Sequence, residues 1–311
     1  MSEDRGPVLA LSGGVGGAKL ALGLYRILPP DTLTVVANTG DDFEHLGLSI
    51  SPDLDTLLYT LSGKSNTKLG WGREGETWSF MDAVRSLGGE DWFNLGDGDL
   101  ALHVMRGEAL RSGQPLSAVI AGFARAWGLG LTILPMSDNR VCTWVDSDEG
   151  PLPFQRYFVE RQCRPRVSAV RFDGAGDASA APGVVEAIAA ADHLLLAPSN
   201  PWLSVDPILA VPQIRQAIAA RKAPLIAVSP LIGGKAVKGP TAKIMDELGL
   251  AADNDSIARH YAPLLDGMVI DTDDPAPHGL AVERTDTLMH DAEDRLRVAR
   301  AALHLSTSMR A

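Results

Sequence analysis

Apolar and polar positions fall along this chain in blocks whose period changes. Val8-Leu9-Ala10-Leu11 is a short continuous apolar run, the pattern of a strand buried on both faces. The turn Ser12-Gly13-Gly14-Val15-Gly16-Gly17 follows. From residue 18 to 28 the apolar Leu20, Leu24, Ile27 and Leu28 share one helical face, until Pro29-Pro30 ends the helix. Residues 33–37 read as a second buried strand, closed by Asn38-Thr39-Gly40-Asp41-Asp42. A strand, helix and strand within about 30 residues predict a parallel sheet.

Between 52 and about 130 the helical period dominates, with helices predicted over 53–61, 77–87, 99–111 and 115–127. Strands are predicted at 131–134, 141–145 and 167–170. Alternation then resumes: helix 183–191, strand 193–197, helix 211–220, strand 225–228, helix 240–248, strand 268–270 and a closing helix from about 292 to 305. The expected fold class is α/β, a three-layer α/β/α Rossmann-like arrangement around a mostly parallel sheet. The chain reads as a single domain over 1–311, with a mainly helical insertion at about 52–130.

Composition narrows the function. The 311 residues carry 28 Lys plus Arg against 39 Asp plus Glu, a formal charge of −11. Such a chain lacks the basic field that tracks a nucleic-acid backbone, so no nucleic-acid partner is expected. Two cysteines, Cys142 and Cys163, make neither a disulfide framework nor a metal spacing. No stretch approaches the roughly 20 apolar residues needed to span a bilayer, and no signal peptide precedes the first strand. A cytoplasmic protein without membrane contact is expected.

In open parallel sheets, ligands sit beyond the carboxyl ends of the strands. Gly13, Gly14, Gly16 and Gly17 follow the first strand, where glycines let amides approach a phosphate at a helix N-terminus. The alternative is a tight turn without ligand. A P-loop needs Gly-Lys-Ser/Thr where this chain has Ala18-Lys19-Leu20, and a dinucleotide fingerprint fails at Lys19. Asp41, Asp42, Asp53 and Asp55 form an acidic cluster suited to a hard divalent cation. Asp53 and Asp55 also suit capping of the helix that they open. Trp71, Arg73 and Trp78 suit a flat heteroaromatic ligand, or a packed loop. Ser199 and Asn200 end a strand and suit a base or ribose edge, or a plain turn. Gly233, Gly234, Lys235 and Lys238 suit a diphosphate, or a solvated loop. His45 and His103 lie in candidate segments. No nucleophile motif points to covalent catalysis.

Together these segments resemble the 2-phospho-L-lactate transferase family, CofD or FbiA, of coenzyme F-420 biosynthesis. The resemblance rests on Ser12-Gly13-Gly14-Val15-Gly16-Gly17-Ala18-Lys19, Asn38-Thr39-Gly40-Asp41-Asp42, Ser51-Pro52-Asp53-Leu54-Asp55-Thr56, Gly70-Trp71-Gly72, Leu95-Gly96-Asp97, Ala197-Pro198-Ser199-Asn200-Pro201 and Asp286-Thr287-Leu288-Met289, in order along nearly the whole chain. It implies Mg²⁺-dependent transfer of a phospho-(small hydroxy acid) group: 2-phospholactate, phosphoenolpyruvate or phosphoglycerate. The donor would be a guanosine diphospho compound, and the acceptor the ribityl hydroxyl of 7,8-didemethyl-8-hydroxy-5-deazariboflavin. GMP would leave.

By the same resemblance, Asp41, Asp53 and Asp55 are catalytic, with Asp41 and Asp53 holding metal. Gly13, Gly14, Gly16, Gly17, Ser199, Asn200, Ser229 and Gly233 bind the donor. Asp53, Thr56, Trp71, Arg73, Asp97 and Gly98 bind the deazaflavin, and the enzyme is a homodimer. One departure stands out: Gly98 occupies a position where the family pattern has a basic residue associated with the deazaflavin, and its loss implies weaker acceptor binding, a shifted substrate preference, or compensation by Arg73 or Arg106. The competing expectations are a non-catalytic nucleotide-sugar-binding regulator, from a related family sharing the Gly-rich opening, and a dinucleotide-dependent oxidoreductase.

Overall fold

The structure is a computed structural model describing residues 6–236 and 239–310. Seven strands build the central sheet: β1 (Val8–Ser12), β2 (Leu33–Ala37), β5 (Thr132–Pro135), β9 (His193–Leu196), β10 (Leu225–Val228), β13 (Gly267–Ile270) and β14 (Ala281–Arg284). Their order is β14-β13-β10-β9-β1-β2-β5, and every pair is parallel. The chain runs outward from β1 through β2 to β5, then returns to β9 on the other side of β1 and runs outward again. The strand order therefore reverses between β1 and β9. Loops leaving those two strands diverge to opposite faces and open a crevice.

Side chains of each central strand alternate between two cores, as a sheet covered on both faces requires. Val8, Ala10, Leu195, Ala197, Ile226 and Val269 face one core. There they meet α1 (Gly14–Ile27), α2 (Pro52–Leu61), α5 (Leu116–Ala126) and the last helix, α11 (Ala292–Ser308). Leu9, Leu11, Leu194, Leu196, Leu225 and Met268 face the other core. It is closed by α6 (Val184–Ala190), α7 (Asp206–Leu209), α8 (Pro212–Ala219), α9 (Thr241–Glu247) and α10 (Asn254–Tyr261). The same face carries an antiparallel sheet of β6 (Cys142–Ser147), β7 (Gly150–Pro153) and β8 (Val167–Asp173). The strands expected at 141–145 and 167–170 thus exist but form a sheet of their own.

Between β2 and β5, the hairpin β3 (Phe43–His45) and β4 (Leu48–Ile50) precedes α2, then α3 (Ser79–Ser86) and α4 (Asp99–Arg111). Leu46 and Gly47 turn this hairpin with φ of 52° and 73°. Ile50, Met81 and Leu95 form a small core of their own there. The remaining strands, β11 (Leu231–Ile232) and β12 (Lys235–Ala236), make a two-residue hairpin beyond β10. Among the described residues, no helix is long and apolar enough to cross a membrane.

Candidate functional site

A cleft of about 490 Å³ opens at the carboxyl ends of β1, β9 and β10, over the point where the strand order reverses. One end is floored by the Gly-rich turn and by carboxylates. The other is walled by Trp71, Trp78, Phe93, Phe154 and Phe158.

The turn is built by contact as much as by freedom. A Cβ on Gly13 would stand 2.5 Å from Ser204 Cβ, on Gly16 2.4 Å from the Pro198 carbonyl, and on Gly17 2.3 Å from Ser12 Oγ. Glycines at these positions let the β1 turn press against the β9 loop. Gly14 differs: its φ is 63° and nothing stands within 4 Å of its missing side chain. Two amides of the turn already have acceptors. Gly14 N–H donates to Asp53 Oδ1 at 2.8 Å, and Gly13 N–H to Ser199 Oγ at 3.2 Å. Val15 and Gly16, in the first turn of α1, have no carbonyl four residues back within the helix.

Asp41 leaves β2 and Asp53 opens α2, and both carboxyls are buried. Burial pushes Asp41 well above the usual carboxylate range, and the neighbouring Asp53 pushes it further. Asp53 is pushed up to about 6 by burial, against the donated bonds of Gly14 N–H and Asn38 Nδ2 (3.1 Å), which favour its charged form. Asp41 Oδ1 is buried without a hydrogen-bond partner among the described residues, although Asn38 and Thr143 stand near. Two desolvated, mutually repelling carboxylates with a spare oxygen fit a divalent cation, which Mg²⁺ binding through one or two carboxylates plus substrate oxygens would satisfy. No cluster of three or more His, Cys, Asp or Glu forms an all-protein metal cage among the described residues.

Asp55 lies differently from its neighbours. The fully buried Arg106 donates to Oδ2 through Nη1 at 3.2 Å and to Oδ1 through Nη2, so both carboxylate oxygens are occupied. His103 continues this network, its Nε2 3.1 Å from Asp99 Oδ2 and its Nδ1 3.8 Å from Asp55 Oδ2. Tyr59 donates to Asp99 Oδ1. Asp42 accepts from Ser51 Oγ at 2.7 Å, and burial pushes its carboxyl well above the usual carboxylate range.

Other expected residues also have structural duties. Ser199 Oγ donates to the Gly13 carbonyl at 2.7 Å while accepting its N–H, bracing β1 to β9. Asn200 Oδ1 accepts from Trp202 and Leu203 N–H, leaving Nδ2 buried and unpartnered among the described residues. Ser229 Oγ donates to Asn254 Oδ1 at 2.6 Å and accepts from Leu231 N–H. Thr56, Trp71, Arg73, Ser199, Asn200 and Ser229 line the cleft. Gly17, Asp97, Gly98 and Gly233 do not. Asp97 instead accepts from Thr77 Oγ1, Ser79 N–H and Phe80 N–H and so starts α3. Gly233 N–H is held by Asp274 Oδ1 at 2.8 Å. Arg106 packs behind Asp55, whereas Arg73 fills the space a side chain at 98 would take, its Nη1 2.1 Å from where that Cβ would stand. His45 sits in an aromatic cluster with Phe43, Trp92 and Phe93 rather than in the cleft, and Lys238 lies outside the described residues.

Lys19, Phe93 and Phe158 also line the cleft, and the sequence alone assigns them no ligand role. Lys19 Nζ reaches the Met289 carbonyl in the loop before α11. Phe158 stacks on Phe154 with centroids 5.3 Å apart. Phe154 and Phe158 are recognisable only as spaced aromatics in a short irregular helical turn.

A family model described as 2-phospho-L-lactate transferase CofD matches residues 8–306. The chain belongs to the CofD family. Relatives of the CofD family named phosphoenolpyruvate transferase include one from Kitasatospora aureofaciens, 42% identical over 97% of this chain and 98% of its own length. Another, from Streptomyces coelicolor, is 39% identical over 97% and 99%. A protein from Nocardia farcinica with the same name is 39% identical over 98% and 97%. A solved structure from Bacillus halodurans, 15% identical, superimposes with a TM-score of 0.65 over 96% of this chain and all of that one. It shares the fold. CofD membership makes this chain a transferase of coenzyme F-420 biosynthesis.

Proposed function

We propose that this chain transfers a phospho-(small hydroxy acid) group, with phosphoenolpyruvate first among the three candidates, from a guanosine diphospho donor to the ribityl hydroxyl of 7,8-didemethyl-8-hydroxy-5-deazariboflavin. One observation carries the reading. In a CofD-family chain, two buried carboxylates meet a glycine turn and a helix N-terminus at one end of a cleft whose other end is aromatic. The names of the relatives favour phosphoenolpyruvate over lactate or glycerate.

Asp41 and Asp53 would hold Mg²⁺, which when bound would supply positive charge to neutralise the donor phosphates. The first turn of α1 faces those phosphates with amides that the helix leaves unbonded. Lys19, one turn on, adds a fixed positive charge. The ring lies against Trp71 and Phe93, which places its ribityl chain toward the carboxylates. The terminal hydroxyl oxygen forms the new bond to phosphorus as the bond to the GMP oxygen breaks. The hydroxyl proton passes to one of these carboxylates, acting as general base. Asp55, held by Arg106, fixes the first turn of α2 and with it Asp53. A cytoplasmic homodimer, each copy one α/β domain with a helical insertion, completes the reading.

The test mixes purified protein, deazaflavin, Mg²⁺ and each of the three donors, and follows GMP release and product mass. The expected result is a deazaflavin product carrying the donor's acid, fastest with phosphoenolpyruvate. Absence of product with all three donors overturns the transfer. Tight nucleotide-sugar binding without turnover would instead favour a regulatory protein.

A further inference from the structure

Two of the aromatics that wall the cleft, Trp71 and Trp78, belong to residues 62–78, and this segment packs against two missing side chains. It doubles back on itself, with Asn66 N–H donating to the Gly72 carbonyl at 2.9 Å and Glu74 N–H to the Lys64 carbonyl at 2.7 Å. Gly70, Gly72 and Gly75 take positive φ in its bends. At its base Glu76 accepts Gly98 N–H at 2.6 Å and pairs with Arg73 at 3.2 Å. A Cβ on Gly96 would stand 2.3 Å from the Glu76 carboxyl carbon, and one on Gly98 would stand 2.1 Å from Arg73 Nη1. Gly98 has φ −77° and ψ −31°, a backbone any residue adopts. Its backbone does not call for glycine, and a side chain at 98 would meet only the end of the Arg73 side chain and turn it aside.

The charge of the cleft gives this seat a purpose. Asp41, Asp53, Asp55 and Asp99 line it, and its only fixed cations among the described residues are Lys19 and Arg73. Lys19 belongs to the Gly-rich end. Arg73, on the segment that carries Trp71 and Trp78, is the cation of the aromatic end, with 35% of its side chain exposed above a buried Glu76.

We propose that Gly96 and Gly98 form a seat for the Glu76–Arg73 pair, and that Arg73, so placed, is the specificity-determining cation that binds an electron-rich ring edge of a flat hydroxylated heteroaromatic acceptor while Trp71 covers its face. This rests on the transferase reading above. Recognition of the acceptor is conditional on the seated pair: a side chain at 98 displaces the guanidinium, whereas the nucleotide end, built from other elements, is untouched.

The test titrates the 8-hydroxy-5-deazaflavin acceptor and, separately, GDP with Mg²⁺ into five proteins, read by ring fluorescence and by calorimetry. Arg73→Ala and Gly98→Ala are each expected to weaken acceptor binding about tenfold, as for a partly desolvated cation at an aromatic ring, and to leave GDP affinity within about twofold. The double variant is expected to bind no more weakly than Arg73→Ala, because the group that an alanine at 98 displaces is already gone. Gly98→Arg on the Arg73→Ala background is expected to regain most of the loss, since the emptied space receives a new guanidinium. Wild-type acceptor binding with an unaltered Gly98→Ala, multiplying losses in the double variant, or equal losses of GDP and acceptor each overturn the seat alone. A wild-type protein that binds GDP but no deazaflavin overturns the transferase reading and the seat with it.

Discussion

Asp41 is the residue on which function and stability pull in opposite directions. Its carboxyl is more readily protonated in the folded chain than in the unfolded one, because burial and Asp53 disfavour its charge. The stability this contributes is complete below the unfolded value near pH 3.9 and is lost as pH rises through the higher folded value. Asp41→Asn removes that loss. Without metal, the variant is expected to melt several degrees above wild type at pH 8 and close to it at pH 4, by calorimetry. Mg²⁺ is expected to raise the melting temperature of wild type at pH 8 but not that of the variant, whose transfer rate falls about 10²–10³-fold.

At this scale the sequence was legible in part. The acids after β2 and at the start of α2 stood out by their spacing. Nothing in the spacing separated Asp53, which faces Gly14, from Asp55, which faces Arg106, because Arg106 comes 51 residues later from another helix. Asp97 looked like a ligand contact and proved to be the acceptor that begins α3, since a short acidic turn serves either purpose.

Among the elements, the contact between α2 and α4 is where the cleft is most exposed to damage. Arg106→Met leaves the buried Asp55 carboxylate without its partner and is expected to cost about 3–5 kcal/mol in chemical denaturation. Replacing both partners, Asp55→Leu with Arg106→Met, is expected to recover most of that stability. Asp97→Ala is a milder probe: loss of the N-terminal acceptor of α3 is expected to lower stability slightly and to speed hydrogen exchange at Ser79 and Phe80. Long buried runs and clean 3.6-residue stripes made most strands and helices readable, and the 99–111 helix falls where its pattern put it. The hairpin at Phe43–Ile50 escaped because its turn uses Leu46 at positive φ, where a turn signal would call for Asn or Asp before Gly47. α10 escaped because its sequence is mostly polar, with only Ile257 and Tyr261 as large apolar buried positions. Edge strand β14 escaped because Ala-Val-Glu-Arg is half exposed and carries little pattern.

The whole molecule carries a charge of −11 and must admit an anionic donor. Its long-range field opposes that encounter, and salt screens it. With free Mg²⁺ held constant, kcat/KM for the donor is expected to rise about two- to fivefold between 20 and 200 mM ionic strength, whereas the acceptor shows little change. The parallel order of the seven strands was implicit in the strand–helix alternation, and so was the edge at which a ligand would lie. Which strands stand beside β1 was not. That depends on the return across the sheet between Pro135 and His193, and the adjacency of β1 and β9 brings Ser199 to Gly13.

The bond from Gly14 to Asp53 has a kinetic consequence. On the proposed reading, the carboxylate that would hold the cation is the same one that accepts the Gly14 amide beside the free amides of the first turn. Nucleotide without a cation would therefore approach a turn still flanked by an uncompensated anion, whereas nucleotide with one would bring the charge that offsets it.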